Sequence, residues 1–314
     1  MSETPPPPGA QPGMPHQHPN AEAMEKAAAL PGEVKGRSLW EDARRRLFSN
    51  KAAVASMIIL AILVLAALIG PEVTPHDFRA ISYGNNDLPP SWSHWMGTDN
   101  IGRDVLARTL IGARVSLAVG LIATFVSLVI GVIWGATAGF FGGTVDNVMM
   151  RIVDVLYSLP FVFFVIILMV VFGTSLWIMF VAIGAIEWLT MARIVRGQTL
   201  SLKEKEFVEA ARAIGVKPLT IVARHIVPNL IGPVIIYVTL TIPYAILAES
   251  FLSFLGLGVQ EPLTSWGVLI SEGANGMQTA PWALLFPAGM MALTLFCFNF
   301  IGDGLRDALD PKDR

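Results

Sequence analysis

Apolar residues along this chain gather into runs far longer than a small soluble core requires. A helix needs about 20 mostly apolar residues to cross the hydrocarbon of a bilayer, and six stretches qualify: 52–70, 115–138, 152–172, 174–192, 230–254 and 282–302. The pattern predicts an all-α membrane protein with six transmembrane helices. The first two runs hold no charged residue, and the next three hold one acid each, Asp154, Glu187 and Glu249. Gly173 and Thr174 leave so little chain between the third and fourth runs that these should form an antiparallel hairpin. Gly131, Gly135 and Gly139 recur every four residues in the second run, a stripe that lets another helix backbone approach closely. Pro160, Pro233 and Pro243 fall in or near runs and predict kinks or local openings.

The polar segment 206–229 between the fourth and fifth runs has its own helical period. Phe207, Ala210, Ala211 and Ile214 share one face at i, i+3, i+4 and i+7. Gly215 is placed to cap that helix in the left-handed conformation, and Pro218 to open a second, in which Leu219, Val222, Ala223 and Ile226 repeat the pattern. Such a pair could rest on its own bundle or on lipid headgroups, or could dock a partner. Before the first run, 36–51 places Leu39, Trp40, Ala43 and Leu47 on one side and Arg44 to Arg46 on another, the mark of an interfacial helix.

Composition agrees with lipid as solvent: 54% of the 314 residues are hydrophobic and 15% charged, where soluble domains run near a quarter charged. The net charge of −2 hides a strong asymmetry. Lys35, Arg37, Arg44, Arg45, Arg46 and Lys51 precede the first run, and Arg193, Arg196, Lys203, Lys205, Arg212, Lys217 and Arg224 follow the fourth, whereas the loop after the fifth has no Lys or Arg. The positive-inside rule therefore puts both termini and 206–229 in the cytoplasm. Arg79, Arg103 and Arg108 run against the rule in the first external loop, accompanied by Asp77, Asp99 and Asp104. There, Thr98 or Asp99 can cap a short amphipathic helix in which Asp104 and Arg108 pair at i, i+4.

The organisation expected is a disordered tail over 1–34, an interfacial helix over 35–51, a first crossing and external loop over 52–114, and a core of five crossings over 115–314, with the polar loop at 193–229. His16 and His18 are read as solvated tail residues. The single cysteine, Cys297, lies in an apolar run and excludes an intrachain disulfide. No phosphate-binding loop is present, since Gly-Lys never occurs, nor is an HExxH or GxSxG pattern. No catalytic, cofactor-binding or metal-ligating residue is assigned, and the chain is not expected to be an enzyme.

Glu209-Ala210-Ala211, then Gly215, then Pro228 resemble the EAA loop of permease subunits of bacterial ATP-binding-cassette importers, with Val227 and His225 departing from the usual residues. The blocks GTDNIGRDVLARTLIGARVSL (97–117), MARIVRGQTLSLKEKEFVEAA (191–211), ESFLSFLGLGVQEPLTSWG (249–267) and FNFIGDGLRDALDPKDR (298–314) are similar to the C-type permeases of oligopeptide importers, in the peptide and nickel group. The resemblance implies a second, similar permease, two cytoplasmic ATPase subunits carrying the ATP and Mg, an extracytoplasmic peptide-binding protein, and peptide transport by alternating access. It makes Glu209, Ala210, Ala211, Gly215 and Pro228 the ATPase-coupling residues, with Ala211→Asp or Lys expected to uncouple transport. Membrane acids usually face a cavity or a partner, so Glu249, with Ser250 and Ser253, either lines the peptide path or bonds to a neighbouring helix. Asp154 and Glu187 are read as snorkelling or helix-pairing acids. The loop carrying Glu261 and Trp266 either receives the binding protein or packs on itself. A dipeptide or nickel importer is the neighbouring reading, and a proton-coupled peptide transporter using the three membrane acids is the rival from another class.

Overall fold

The computed structural model describes residues 39–173 and 175–309. The tail, Lys35, Arg37, Thr174 and the last residues lie outside the described residues, as do the side chains of Leu39 and Trp40. Helix α1 (Leu39–Ser49) leads into α2 (Lys51–Val73) at Asn50, whose side chain accepts the amides of Ala52 and Ala53 at 3.1 and 3.2 Å. Those two amides have no partner inside the helix, so the cap separates α1 from α2 without leaving donors orphaned. On α1, Ala43 is buried while Arg44 and Arg45 are exposed, the division expected of an interfacial helix.

Helix α3 (Val105–Phe141) is the central element. Asp104 caps it, accepting the Ala107 amide at 2.8 Å. The short amphipathic helix expected near residue 100 is therefore the first turns of the second crossing itself. At 37 residues α3 is about 55 Å long, well beyond the hydrocarbon thickness. Its glycine stripe meets α6 (Leu176–Leu202). A methyl group on Gly135 would collide with the Ala192 carbonyl, and one on Gly139 would come within 2.8 Å of Thr199 Cβ. The backbones thus touch where side chains are missing.

The third crossing departs from expectation. The run 152–172 is not one helix: α4 (Gly143–Tyr157) and α5 (Phe161–Phe172) meet at 87°. Pro160 is the cause, because it disfavours helical backbone at the preceding Leu159 and lacks an amide to continue the ladder. Among the described residues there are five long apolar helices plus this bent pair. After Gly173, at φ 90°, α6 returns against α5, and Val165 and Met169 bury with Met179, Phe180 and Ile183.

Beyond α6 come α7 (Glu206–Ala213), α8 (Pro218–Ile221), a π-helical turn Val222–Ile226, α9 (Val227–Asn229), α10 (Ile231–Phe254), α11 (Trp266–Asn275) and α12 (Pro281–Leu309). Pro233 and Pro243 lie within α10, which continues through both. Helix α2 docks on α3 and α12: Arg114 donates to the Ala67 and Leu68 carbonyls at 3.1 and 2.9 Å, and Gly304 faces Ala53. The opposite side of α2 presents Ile58, Ile62, Leu65 and Ile69 outward, as lipid contact requires.

Candidate coupling surface and membrane cavity

The α7 loop is built as a rigid corner. At its end the Gly215 amide bonds the Arg212 carbonyl at 3.0 Å and the Val216 amide bonds the Ala211 carbonyl at 3.1 Å, with Gly215 at φ 80°. This is the paired Schellman closure that sequence spacing predicts from glycine. The buried face is narrower than expected. Val208 and Ala211 are the buried pair, packed with Ile221, Val222, Ile226 and Leu230 beneath Phe140 and Val195. Phe207, Ala210, Ile214 (81% exposed) and Leu219 face outward. Ala211 is therefore an anchor to the bundle, not a free contact, and Ala211→Asp would bury an unpaired charge before it touched any partner.

Glu209 is exposed and has no ion-pair partner among the described residues. Arg212, one turn on, instead lies over the Phe140 ring at 5.1 Å. Pro228 is exposed in α9. The π turn adds one residue to the helical repeat. It carries Ile221, Val222 and Ile226 inward and leaves Leu219 and Ala223 out, so the expected Leu219, Val222, Ala223 and Ile226 face is split.

On the opposite side of the fold, Arg103 and Arg108 form an ion-pair network. Arg108 Nη1 donates to Asp99 Oδ2 at 2.8 Å and to Glu272 Oε2 at 2.6 Å. Arg103 Nε donates to Asp99 Oδ2 at 2.7 Å, and its Nη1 to Glu261 Oε1 at 2.8 Å. Burial opposes the charge on Arg103, but the Asp99 and Glu261 carboxylates outweigh it and hold its pKa above the ordinary arginine value. Arg108 thus pairs with Asp99 and Glu272 rather than with Asp104, whose Oδ2 is bonded to His94 Nδ1 at 2.8 Å. The network ties the loop between α2 and α3 to α11 across 164 residues of chain. Glu261 keeps a side chain 71% exposed. Trp266 does not serve as surface: it is fully buried among Ala67, Ala113, Leu117, Ile246 and Phe298, its indole N–H donating to the Thr109 carbonyl at 3.2 Å. Trp266 is thus packed into the helix bundle, neither a docking contact nor part of a loop folded on itself.

The three membrane acids lie in different surroundings. Glu249 has no exposed surface; the hydroxyls of Ser253 and Ser265 each donate to its Oε1 at 2.6 Å, joining α10 to the start of α11. Ser253 is buried with it, and Ser250, half-buried, contacts Met291 Sδ at 3.2 Å. Asp154 pairs with Arg193 at 2.9 Å, and Arg193 covers the Tyr157 ring. Glu187 lines a cavity of about 640 Å³ between the α4/α5 bend, α6 and α10, with Tyr157, Tyr237, Thr241 and Tyr244 around it. These residues were not singled out by sequence, although Tyr237, Thr241 and Tyr244 stand at i, i+4 and i+7 and mark one polar stripe on an apolar helix.

Comparison with known proteins places this geometry. Residues 127–314 match the family described as binding-protein-dependent transport system inner membrane component, and residues 38–90 match the N-terminal TM domain of oligopeptide transport permease C. The oligopeptide transport system permease protein OppC of Haemophilus influenzae is 54% identical over 94% of this chain and 96% of its own. OppC of Escherichia coli K12 is 56% identical over 90% and 94%, and the dipeptide transport system permease protein DppC of Bacillus subtilis 49% over 88% and 87%. The inward-facing MetNI methionine ABC transporter shares the fold at TM-score 0.53 and 20% identity, covering 65% of this chain and 96% of that one. This chain belongs to the binding-protein-dependent permeases of bacterial ABC importers, multi-pass proteins of the inner membrane, in the branch of the oligopeptide C-type subunits.

Proposed function

We propose that this chain is the C-type membrane subunit of an importer that moves oligopeptides inward by alternating access, paired with a second homologous permease, two ATPase subunits and an extracytoplasmic peptide-binding protein. The observation that carries the reading is the α7 corner: an exposed apolar face of Phe207, Ala210 and Ile214 beside an unpaired Glu209, held on the bundle by Val208 and Ala211. A face so small and so firmly backed suits insertion into a cleft on an ATPase, and transmits a push into α3, α6 and α10. ATP and Mg belong to the ATPases, and this chain binds no cofactor. The basic segments set the orientation, with both termini and the α7 corner cytoplasmic. Glu261 and Glu272, the exposed acids over the buried Arg103, Arg108 and Asp99, then face the binding protein. The extent of identity to a dipeptide permease supports shorter peptides as a second reading.

Tagged chain purified from its native membrane in mild detergent should bring two ATPases and a second permease with it, and a peptide-loaded binding protein should raise ATP hydrolysis. Comparing dipeptides with longer peptides separates the two readings. A chain that purifies alone, with uptake driven by a proton gradient and indifferent to ATP, would sink both. Within the complex, Ala210→Asp places an uncompensated charge in a desolvated contact, and peptide uptake should fall about tenfold or more while the permease still inserts and folds. Normal uptake by that variant would remove α7 from the coupling surface.

A further inference from the structure

Of the three membrane acids, Glu187 is the one that lines the cavity. Asp154 is neutralised by Arg193, and Glu249 is enclosed by serine hydroxyls. The Glu187 carboxylate has neither an ion pair nor a hydrogen bond among the described residues, and it is the sole charged side chain lining its cavity. An acid left unpartnered at membrane depth is costly, and such residues mark sites where a counter-charge arrives. The surroundings narrow what that counter-charge is. Tyr157, Tyr237 and Tyr244 offer aromatic faces, Thr190 and Thr241 offer hydroxyls, and the rest of the lining is apolar. Aromatic faces attract cations, and threonine hydroxyls accept from N–H donors. The combination suits an organic ammonium, and a volume of about 640 Å³ lies within the range of sites that enclose a small ligand.

We infer that the Glu187 cavity receives the α-ammonium terminus of the transported peptide. The inference rests on the peptide-importer reading. Every peptide carries that group whatever its side chains, so one acid among tyrosines can guide many sequences without a pocket for any of them. The cavity lies at the α4/α5 bend, where the Pro160 break opens the wall of the bundle, and the terminus would be held there by one charge and released when the helices move. Glu249 has no surface to offer for this task.

The test uses the complete importer in proteoliposomes, with loaded binding protein and tetra-alanine, whose terminus is its only cation. Glu187→Gln should lower peptide delivered per ATP hydrolysed about tenfold, the scale of one lost charge-assisted hydrogen bond. Glu187→Asp should recover most of it, and Glu187→Lys should fall below Glu187→Gln. The concentration of loaded binding protein giving half-maximal rate should hardly move, because docking lies on another surface. Wild-type delivery by Glu187→Gln, or an aspartate variant as impaired as the glutamine one, would overturn the assignment, as would loss through docking alone. If wild-type vesicles take up no peptide at all, the importer reading fails first, and that outcome is distinct from either.

Discussion

Replacing Arg108 with methionine should cost the folded permease about 3–5 kcal/mol, the scale measured when one member of a buried ion pair is removed. Arg108 is 4% exposed, and its guanidinium bridges Asp99 on the loop between α2 and α3 to Glu272 on α11. Methionine fills the volume but leaves Asp99 without one of its two arginines and Glu272 with only the longer 3.5 Å approach of Arg103. Lysine restores charge without the fork that reaches both carboxylates, so Arg108→Lys should lie between. Thermal unfolding in detergent checks this, and a midpoint within about 2 °C of wild type would show the network contributing little. Asp99→Asn in the same background should cost less than it does in wild type, since the two changes share partners.

Gly135→Leu should be comparably damaging, because what it meets is backbone. The position faces the Ala192 carbonyl and the Arg196 amide of α6. No rotamer change can make room there, and α3 and α6 would have to part along the stripe that also holds Gly131 and Gly139. Overpacking of ordinary cores costs about 1–3 kcal/mol, with more where the neighbour cannot yield; here the upper end or beyond is expected. Arg196 is also part of the loss, since its two bonds to Asp146 pin α6 to α4. The readout is the yield of monodisperse permease after extraction. Gly289→Ala, on α12 with nothing within 4 Å of its added carbon, is the control, and equal behaviour of the two variants would mean the contact does not hold the bundle.

Much of this was legible because membrane helices must satisfy their backbone internally and so announce themselves by length. The crossings read from 52–70, 115–138, 174–192, 230–254 and 282–302 all lie largely within long helices, though α3 and α6 run about ten residues past the apolar stretch at one end. Hydropathy cannot see that overrun, because helices outside the hydrocarbon need no apolar surface. In the third run apolar content is blind to direction, and Pro160 alone carried the information that the helix breaks there, by 87°. At the end of α7, Gly215 gave the closure correctly. The sequence left open whether the Phe207, Ala210, Ala211 and Ile214 face meets the bundle or a partner, because packing against α3 and α8, which covers only Ala211 of the four, is set by the tertiary fold. Trp266 shows the same limit: its turn-rich surroundings suggested a docking contact or a self-packed loop, whereas residues of α2, α3, α10 and α12 bury it. The Arg108 network was invisible locally, its partners being neighbours only after folding. The tyrosine stripe of α10 was visible and passed over.

The bend before α5 has a consequence for the membrane itself. Twelve residues make a helix of about 18 Å, against hydrocarbon about 30 Å thick. Val170, Val171 and Phe172 remain outward and apolar at its end, while α4 turns aside at nearly a right angle. Lipid next to α5 must therefore dip to meet it, or another subunit must cover the shortfall. Either way the permease has a locally thin wall beside its tyrosine cavity, and the work of deforming the bilayer there depends on acyl-chain length. Where lipid rather than protein meets α5, the thickness of the host membrane thus enters the energetics of the permease.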